Sequence, residues 1–259
     1  MITPEGYETL SSASRLERSL RRGRTLPRLL SVDVFDTLLW RGTRPEFVRF
    51  GDVSVLQSRA LVARGWGGAS ALALLRTRLA VTRQAYQRVR AEGGEVCFRQ
   101  ILENLCQDLA LPADAVDLFE QVELDYEKTV LRPNRALALL LQRLAVPVVV
   151  TSDTPLAAAR IAELMRCFHP DLPLQGVFAS CQEQATKRDG SLYPRLCRHF
   201  DVDPGAVVHV GDNPLADGKM AAANGLAAKV IPRILPWRLV HGWRAGRARR
   251  RLRGQGLIP

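Results

Sequence analysis

The sequence SVDVFDTL at residues 31–38 decides the fold, because an apolar run ends there in Asp33. The same form recurs in VVVTSD at residues 148–153 and in VHVGDNPLAD at residues 208–217. Buried parallel strands have continuous apolar sequences, and the chemistry of open α/β sheets lies at the carboxyl ends of their strands. We therefore predict one crevice at which three strand ends meet. The residues predicted to converge there are Asp33, Ser152 and Asp212.

The order of the apolar and helical segments predicts an α/β fold with a Rossmann-like, doubly wound parallel sheet. After a break at residues 132–134, helical segments alternate with short apolar ones, which is the rhythm of β-α-β units. Residues 46–131 have helical periodicity without a clear buried strand, so they are predicted to form an inserted α-helical cap. The predicted divisions are a basic N-terminal helical arm at 1–28, a catalytic core at 29–45 and 132–232, the cap at 46–131, and an Arg/Trp-rich basic tail at 233–259.

Size and composition favour a folded protein of a reducing compartment. The chain has 259 residues, and 47% of them are hydrophobic, which allows a substantial core. Its five cysteines are scattered, without the spacing of a zinc site or of a disulfide framework. The first ten residues have no apolar stretch of signal-peptide length, and the sequence has no apolar run of about 18 residues that would span a membrane. We expect a cytoplasmic protein that contacts the inner membrane surface only peripherally, if at all.

The basic tail accounts for most of the charge. The net charge is +11, and eight arginines without any acid lie between Arg233 and Pro259. Ile234, Trp237, Val240 and Trp243 are predicted to share a helical face beside arginines, as in helices that lie on anionic membranes. We expect an anionic membrane surface or an acidic partner at this tail, and nucleic acid is the less favoured contact. The alternative is that the aromatic side chains pack on the body and the arginines are solvated.

The polar residues at the predicted strand ends suit phosphoryl transfer. A carboxylate such as Asp33 can attack phosphorus and form an acyl phosphate. Oxygen ligands suit Mg²⁺, and a hydroxyl before a helix N-terminus, as at Ser152, suits a phosphate. Lys187 would supply a positive charge to the transferring group. Each residue alone has a simpler explanation as a cap, a turn or a surface residue, but four such segments in this order favour a real site.

These motifs resemble those of the haloacid dehalogenase superfamily, most of whose members are magnesium-dependent phosphatases. The resemblance covers about residues 29–232 and implies Asp33 as nucleophile, a small phosphorylated substrate, and a helical cap of the C1 type. It implies Ser152 and Asp153 as substrate-binding residues and Lys187 as the catalytic lysine. The metal ligands that it implies for Mg²⁺ are Asp33, the backbone carbonyl of Phe35, Asp212 and Asp217. Residues 33–39, together with Ser152 and Asp153, are also similar to a bacterial subgroup associated with surface-polysaccharide glycosyltransferases.

The sequence departs from the phosphatase pattern at Phe35. Phosphatases of this superfamily have an acid two positions after the nucleophile, which protonates the leaving group and then activates water. Here the acid follows one position later, as Asp36, and it reaches the cleft only if the chain bends after Phe35. A phosphatase is the expected function, with Asp36 as acid/base. Two alternatives stay open, a nearly inactive member that binds a phosphorylated ligand or a partner, and a carbon–halogen hydrolase, whose branch has an aromatic residue there and needs no metal.

Overall fold

A computed structural model describes residues 4–21 and 26–258. The chain divides into two compact units, one formed by Met1–Arg41 with Leu131–Ile234 and the other by Gly42–Val130 with Leu235–Pro259. We call them the sheet unit and the helical unit. The predicted arm contributes the helix α1 (Pro4–Arg21) to the sheet unit, and residues 1–3 and 22–25 of that arm lie outside the described residues.

The sheet unit is built on five parallel strands. They are β1 (Leu29–Val32), β4 (Val148–Ser152), β5 (Leu174–Ala179), β6 (Val207–Gly211) and β7 (Ala227–Val230), in the spatial order β5-β4-β1-β6-β7. All residues of β1, β4 and β6 are buried, as expected of central strands covered on both faces. Since the chain leaves β1 toward one edge and returns on its other side, a crevice forms at the carboxyl ends of these three strands. The predicted doubly wound α/β fold is confirmed.

Helices and two short strands complete the sheet unit. The strands β2 (Leu39–Arg41) and β3 (Leu131–Pro133) pair antiparallel at the two ends of the insertion. At β3 the sequence had indicated only a break in the helical pattern. The helices α6, α7, α8, α9 and α10 are Arg135–Leu144, Ala158–Phe168, Ser180–Glu183, Leu192–His199 and Ala221–Ala223. A 3₁₀ turn covers Pro204–Ala206 and a π-helix covers Pro214–Met220.

The helical unit contains the predicted cap and most of the predicted tail. Its first four helices are α2 (Glu46–Ala63), α3 (Ala71–Glu92), α4 (Phe98–Asp108) and α5 (Ala115–Val130). A buried ion pair joins Arg49 of α2 to Glu127 of α5. The tail forms one helix, α11 (Leu235–Gly254), which packs against α2. The sequence had suggested a separate tail from residue 233; instead Arg233 belongs to the sheet unit and α11 to the helical unit.

Candidate active site

Asp33 and Lys187 form the centre of the site at the carboxyl end of β1. Both side chains are buried, and Lys187 Nζ donates to Asp33 Oδ1 at 2.6 Å and to Asp217 Oδ1 at 2.6 Å. Thr37, one turn after Asp33, donates its hydroxyl to Asp33 Oδ2 at 3.1 Å. Asp33 is therefore held by partners on both oxygens, in an orientation that the backbone alone would not fix.

Three carboxylates meet at the ends of β1 and β6. Each of Asp33, Asp212 and Asp217 offers one oxygen, and these oxygens lie within 4.8 Å of one another. Asp33 and Asp217 are buried and Asp212 is partly buried. The predicted approach of Asp33 and Asp212 is found, and Asp217 joins them although it lies on the following helix.

The turn after β6 brings Asp217 back to the strand end. Asn213 caps the π-helix by accepting from Leu215 N–H at 2.9 Å, while its own N–H donates to Asp217 Oδ2 at 2.9 Å. A Cβ at Gly211 would overlap the Asp217 carboxylate, so the absence of a side chain at Gly211 is what lets Asp217 lie against the strand. The spacing of Gly211, Asp212 and Asp217 thus has a steric reason.

A buried hydrogen-bond chain lies behind the carboxylates, and the sequence reasoning missed it. His209 Nε2 is 3.0 Å from Asp217 Oδ1, and His209 Nδ1 is 2.8 Å from Ser31 Oγ, which in turn is 2.7 Å from Thr151 Oγ1. With Nε2–H donating to the carboxylate, Nδ1 accepts from the serine hydroxyl. A signal was present, because a polar residue within a buried strand needs a hydrogen-bond partner.

Asp153 accepts hydrogen bonds from the backbone of the loop that carries Lys187. Its Oδ1 accepts from the Lys187 N–H at 2.6 Å and its Oδ2 from the Arg188 N–H at 3.0 Å. Asp153 thereby positions the backbone of the lysine, which the sequence did not indicate; contact of Asp153 with a substrate stays a prediction. Ser152 is buried at the end of β4, beside Ala179 of β5.

The chain bends at Asp36, as the sequence required for this acid to approach the cleft. Asp36 has a φ of 63°, in the left-handed region that acidic residues tolerate better than most. Its Oδ1 accepts from Arg233 Nη1 at 2.5 Å and from the Arg41 N–H at 3.2 Å. Phe35 is buried, with the Arg41 guanidinium 3.8 Å from its ring centroid. Asp36 is therefore committed to an ion pair, and its acid/base role and the metal-ligand role of the Phe35 carbonyl stay predictions.

The electrostatics of the cluster are those of crowded, buried acids. Burial raises the pKa of Asp33 to about 7 against the attraction of Lys187. Burial, together with the nearby charges of Asp33 and Asp36, raises the pKa of Asp212 to about 8. Burial also acts to raise the pKa of Asp217, but Lys187 and His209 outweigh it and lower that pKa. Burial lowers the pKa of His209, which favours the neutral imidazole in the chain described above.

A family model of haloacid dehalogenase-like hydrolases matches residues 28–225. The chain belongs to the haloacid dehalogenase-like hydrolases. The matched range includes Asp33, Ser152, Lys187 and Asp212, so the family assignment and the geometry concern the same residues. The predicted superfamily is thereby confirmed.

Solved structures of this family share the fold. A 2-haloacid dehalogenase from Pseudomonas syringae pv. tomato DC3000 is 20% identical with a TM-score of 0.53, over 78% of this chain and 84% of that one. The L-2-haloacid dehalogenase PA0810 is 21% identical with a TM-score of 0.52, over 82% and 87%. A predicted phosphoglycolate phosphatase from Haemophilus somnus 129pt is 16% identical with a TM-score of 0.44, over 79% of this chain and 84% of that one. A search of curated proteins found no match.

These similarities describe the fold and leave the choice between a phosphatase and a dehalogenase to the site itself.

Among the described residues, no helix is long and apolar enough to cross a membrane.

Proposed function

We propose that this haloacid dehalogenase-like hydrolase is a Mg²⁺-dependent phosphatase of a small phosphomonoester. The observation that supports it is the group of three carboxylates, Asp33, Asp212 and Asp217, whose oxygens lie within 4.8 Å of one another. A hydrolase that works without a metal has no evident need for two further acids around its nucleophile, and their mutual repulsion is costly in a buried site.

The donor set fits Mg²⁺. The three groups are hard oxygen donors, and Mg²⁺ is usually held by one or two carboxylates together with waters and substrate phosphate. Asp33 and Asp212 would hold the ion, with Asp217 and the Phe35 carbonyl as further candidate oxygens. When bound, Mg²⁺ would neutralise charge on the transferring phosphoryl group and orient it.

Asp33 is the proposed nucleophile. Its carboxylate attacks phosphorus, the bond to the ester oxygen breaks, and the alcohol leaves with a proton, which gives an aspartyl phosphate. Water then attacks the phosphorus, releases phosphate and regenerates Asp33. Lys187, bonded to Asp33 at 2.6 Å, places a positive charge where negative charge develops. Ser152, buried at the adjacent strand end, is proposed to bind the phosphoryl oxygens.

The leaving alcohol also needs a proton donor. Asp36 is the proposed acid/base, but its Oδ1 is bonded to Arg233, so it has to exchange that partner for the leaving group. We expect hydrolysis to be fastest with good leaving groups such as p-nitrophenol, which need little protonation. The similarity of residues 33–39 to the subgroup associated with surface-polysaccharide glycosyltransferases suggests a sugar phosphate as the first substrate to test.

A second candidate function is carbon–halogen hydrolysis, favoured by one observation. Phe35 fills the position of the usual second acid and is buried under the Arg41 guanidinium. In that reaction Asp33 would attack carbon, halide would leave, and water would cleave the resulting ester. The same residue also suits a nearly inactive protein that binds a phosphorylated ligand.

One experiment separates these functions. Purified protein is assayed for phosphate release from p-nitrophenyl phosphate, sugar phosphates, nucleotides and small acid phosphates, and for halide release from 2-haloacids, each with Mg²⁺ or with EDTA. Asp33→Asn serves as the inactive variant, and Asp203→Asn, at an exposed position, as the matched control. We expect Mg²⁺-dependent phosphate release that Asp33→Asn abolishes and Asp203→Asn retains. Halide release that resists EDTA would support the dehalogenase, and no turnover of either class would support the binding protein.

A further inference from the structure

The helix α11 carries an exposed apolar stripe in its first half. Leu235, Leu239 and Trp243 are 61%, 64% and 61% exposed, and their spacing of four residues places them on one side of the helix. Contiguous large apolar side chains on a surface indicate an interaction site. Their exposure therefore needs an explanation beyond the packing of the helical unit.

The opposite side of α11 holds the helix to its unit. On that side Leu252 is buried, and Trp237 stacks on His241 of the same helix with ring centroids 4.7 Å apart. Arg244 donates to Thr43 Oγ1 at 2.5 Å. The sequence had predicted one face shared by Trp237 and Trp243, but Trp237 is partly buried beside His241 whereas Trp243 is exposed. The residues of the apolar stripe therefore do not anchor the helix to its unit.

The second half of α11 continues the same side with positive charge. The helix contains seven exposed arginines and no acid. At 3.6 residues per turn, Arg250 and Arg253 lie within about 40° of Leu239 around the helix axis, and Arg247 within about 80°. The Arg247 guanidinium lies 5.7 Å from the centroid of the Trp243 ring. One side of α11 therefore presents leucine and tryptophan first and arginines after them.

We propose that α11 docks on the surface of an anionic lipid bilayer, lying in its plane. The apolar half would enter the boundary between headgroups and acyl chains, where tryptophan is favoured, and the arginines would contact anionic headgroups. The charges are complementary, because the helix contains arginines and no acid that an anionic surface would repel. A nucleic acid would bind the arginines equally well, but it would not bury the two exposed leucines beside them. This proposal is independent of the reaction catalysed by the sheet unit.

The test uses the full-length protein and three triple variants. The charge variant is Arg247→Gln, Arg250→Gln, Arg253→Gln, and the stripe variant is Leu235→Ser, Leu239→Ser, Trp243→Ser. The control carries the same loss of charge on another helix, α3, at three exposed arginines: Arg83→Gln, Arg88→Gln, Arg90→Gln. Circular dichroism melting verifies that each variant is folded.

Binding is measured by sedimentation with phosphatidylcholine vesicles that contain or lack phosphatidylserine. We expect the wild type and the α3 control to sediment only with the anionic vesicles. Since each basic residue near an anionic surface contributes about a fivefold effect, the charge variant should bind roughly 100-fold more weakly. The stripe variant should lose about tenfold or more. Binding should also fade as the Debye length falls from about 10 Å at 0.1 M salt to about 3 Å at 1 M.

A second measurement follows the tryptophan directly. The emission of the wild type should shift to the blue with anionic vesicles, and Trp243→Phe, which keeps an apolar ring, should bind the vesicles but lose that shift. Three results would overturn the proposal: no sedimentation with anionic vesicles, an equal loss in the α3 control and the charge variant, or unchanged binding by the stripe variant. Tight binding to duplex DNA in the absence of vesicle binding would assign the arginines to nucleic acid instead.

Discussion

Replacement of Asp153 by asparagine should loosen the loop that carries Lys187. The two oxygens of Asp153 accept from the backbone N–H groups of Lys187 and Arg188 at 2.6 and 3.0 Å. An asparagine keeps one acceptor oxygen, but its amide turns an N–H₂ donor toward the other N–H. One of the two bonds is therefore lost, and the charge that strengthened the second is removed.

The expected size of this effect follows from the surroundings of the two bonds. A hydrogen bond to a charged group contributes about 1.5–3 kcal/mol. Arg188 is exposed, so its N–H regains water when the bond is lost, whereas Lys187 is 2% exposed. Whichever way the amide turns, the bond to the buried Lys187 N–H is either lost or loses its charged acceptor, and we expect a loss of about 2 kcal/mol in the free energy of unfolding. That corresponds to a fall of about 4–8 °C in Tm and to about a 30-fold increase in opening of the Lys187 amide.

Hydrogen exchange read by mass spectrometry on the peptide that spans residues 185–190 measures the opening without any need for a substrate. The matched control is Asp189→Asn in the same loop. Both of its bonds with Ser191, at 2.8 and 2.6 Å, go to a single oxygen, Oδ1, which an asparagine retains. We expect faster exchange in Asp153→Asn and little change in the control. Equal exchange in the two variants would refute the positioning role of Asp153.

Two further predictions concern the acids around Asp33. The raised pKa of Asp212, about 8, means that its neutral form stabilises the metal-free fold at low pH and that this stabilisation is lost as the pH rises toward 8, so Asp212→Asn should melt higher than the wild type at pH 8. Scanning fluorimetry should show a Mg²⁺-induced rise in the Tm of the wild type and none in the variant. An equal rise in both proteins would show that Asp212 does not bind the metal. Arg233→Met should cost about 2 kcal/mol in urea unfolding, because it removes the ion-pair partner of the Asp36 carboxylate. Adding Asp36→Asn should recover part of that loss. Strictly additive costs would show that the ion pair contributes nothing.

The convergence of the strand-end residues was predictable because it depends on order alone. Apolar runs that alternate with helices form parallel strands, and the ends of neighbouring parallel strands lie at one edge of a sheet. Knowledge of β1, β4 and β6 as strands was therefore enough to bring Asp33, Ser152 and Asp212 together. No side-chain detail entered that prediction.

The partners of these residues were not predictable from order, since they depend on turns. The left-handed backbone at Asp36, with a φ of 63°, directs its carboxylate to Arg233, which lies 197 residues later in the chain. The sequence placed Arg233 in a charged tail, because nothing local distinguishes it from the arginines that follow. The contact of Asp153 with the Lys187 loop was not predictable for a similar reason, because it depends on a turn between β5 and α9, and contact of Asp153 with a substrate stays a prediction.

The hydrogen-bond chain from Thr151 to Asp217 bears on the proposed chemistry. Ser31 pairs with His209 across β1 and β6, so the chain crosses the centre of the sheet, where polar groups are tolerated only if they satisfy one another. It fixes one oxygen of Asp217, and Lys187 bonds that same oxygen at 2.6 Å. Asp217 is thus a rigid, ionised group beside Asp33 and Asp212, and Lys187 supplies one positive charge to three carboxylates. The remaining negative charge has to be balanced by protons or by a bound cation, and a cation is what phosphoryl transfer requires and carbon–halogen hydrolysis does not.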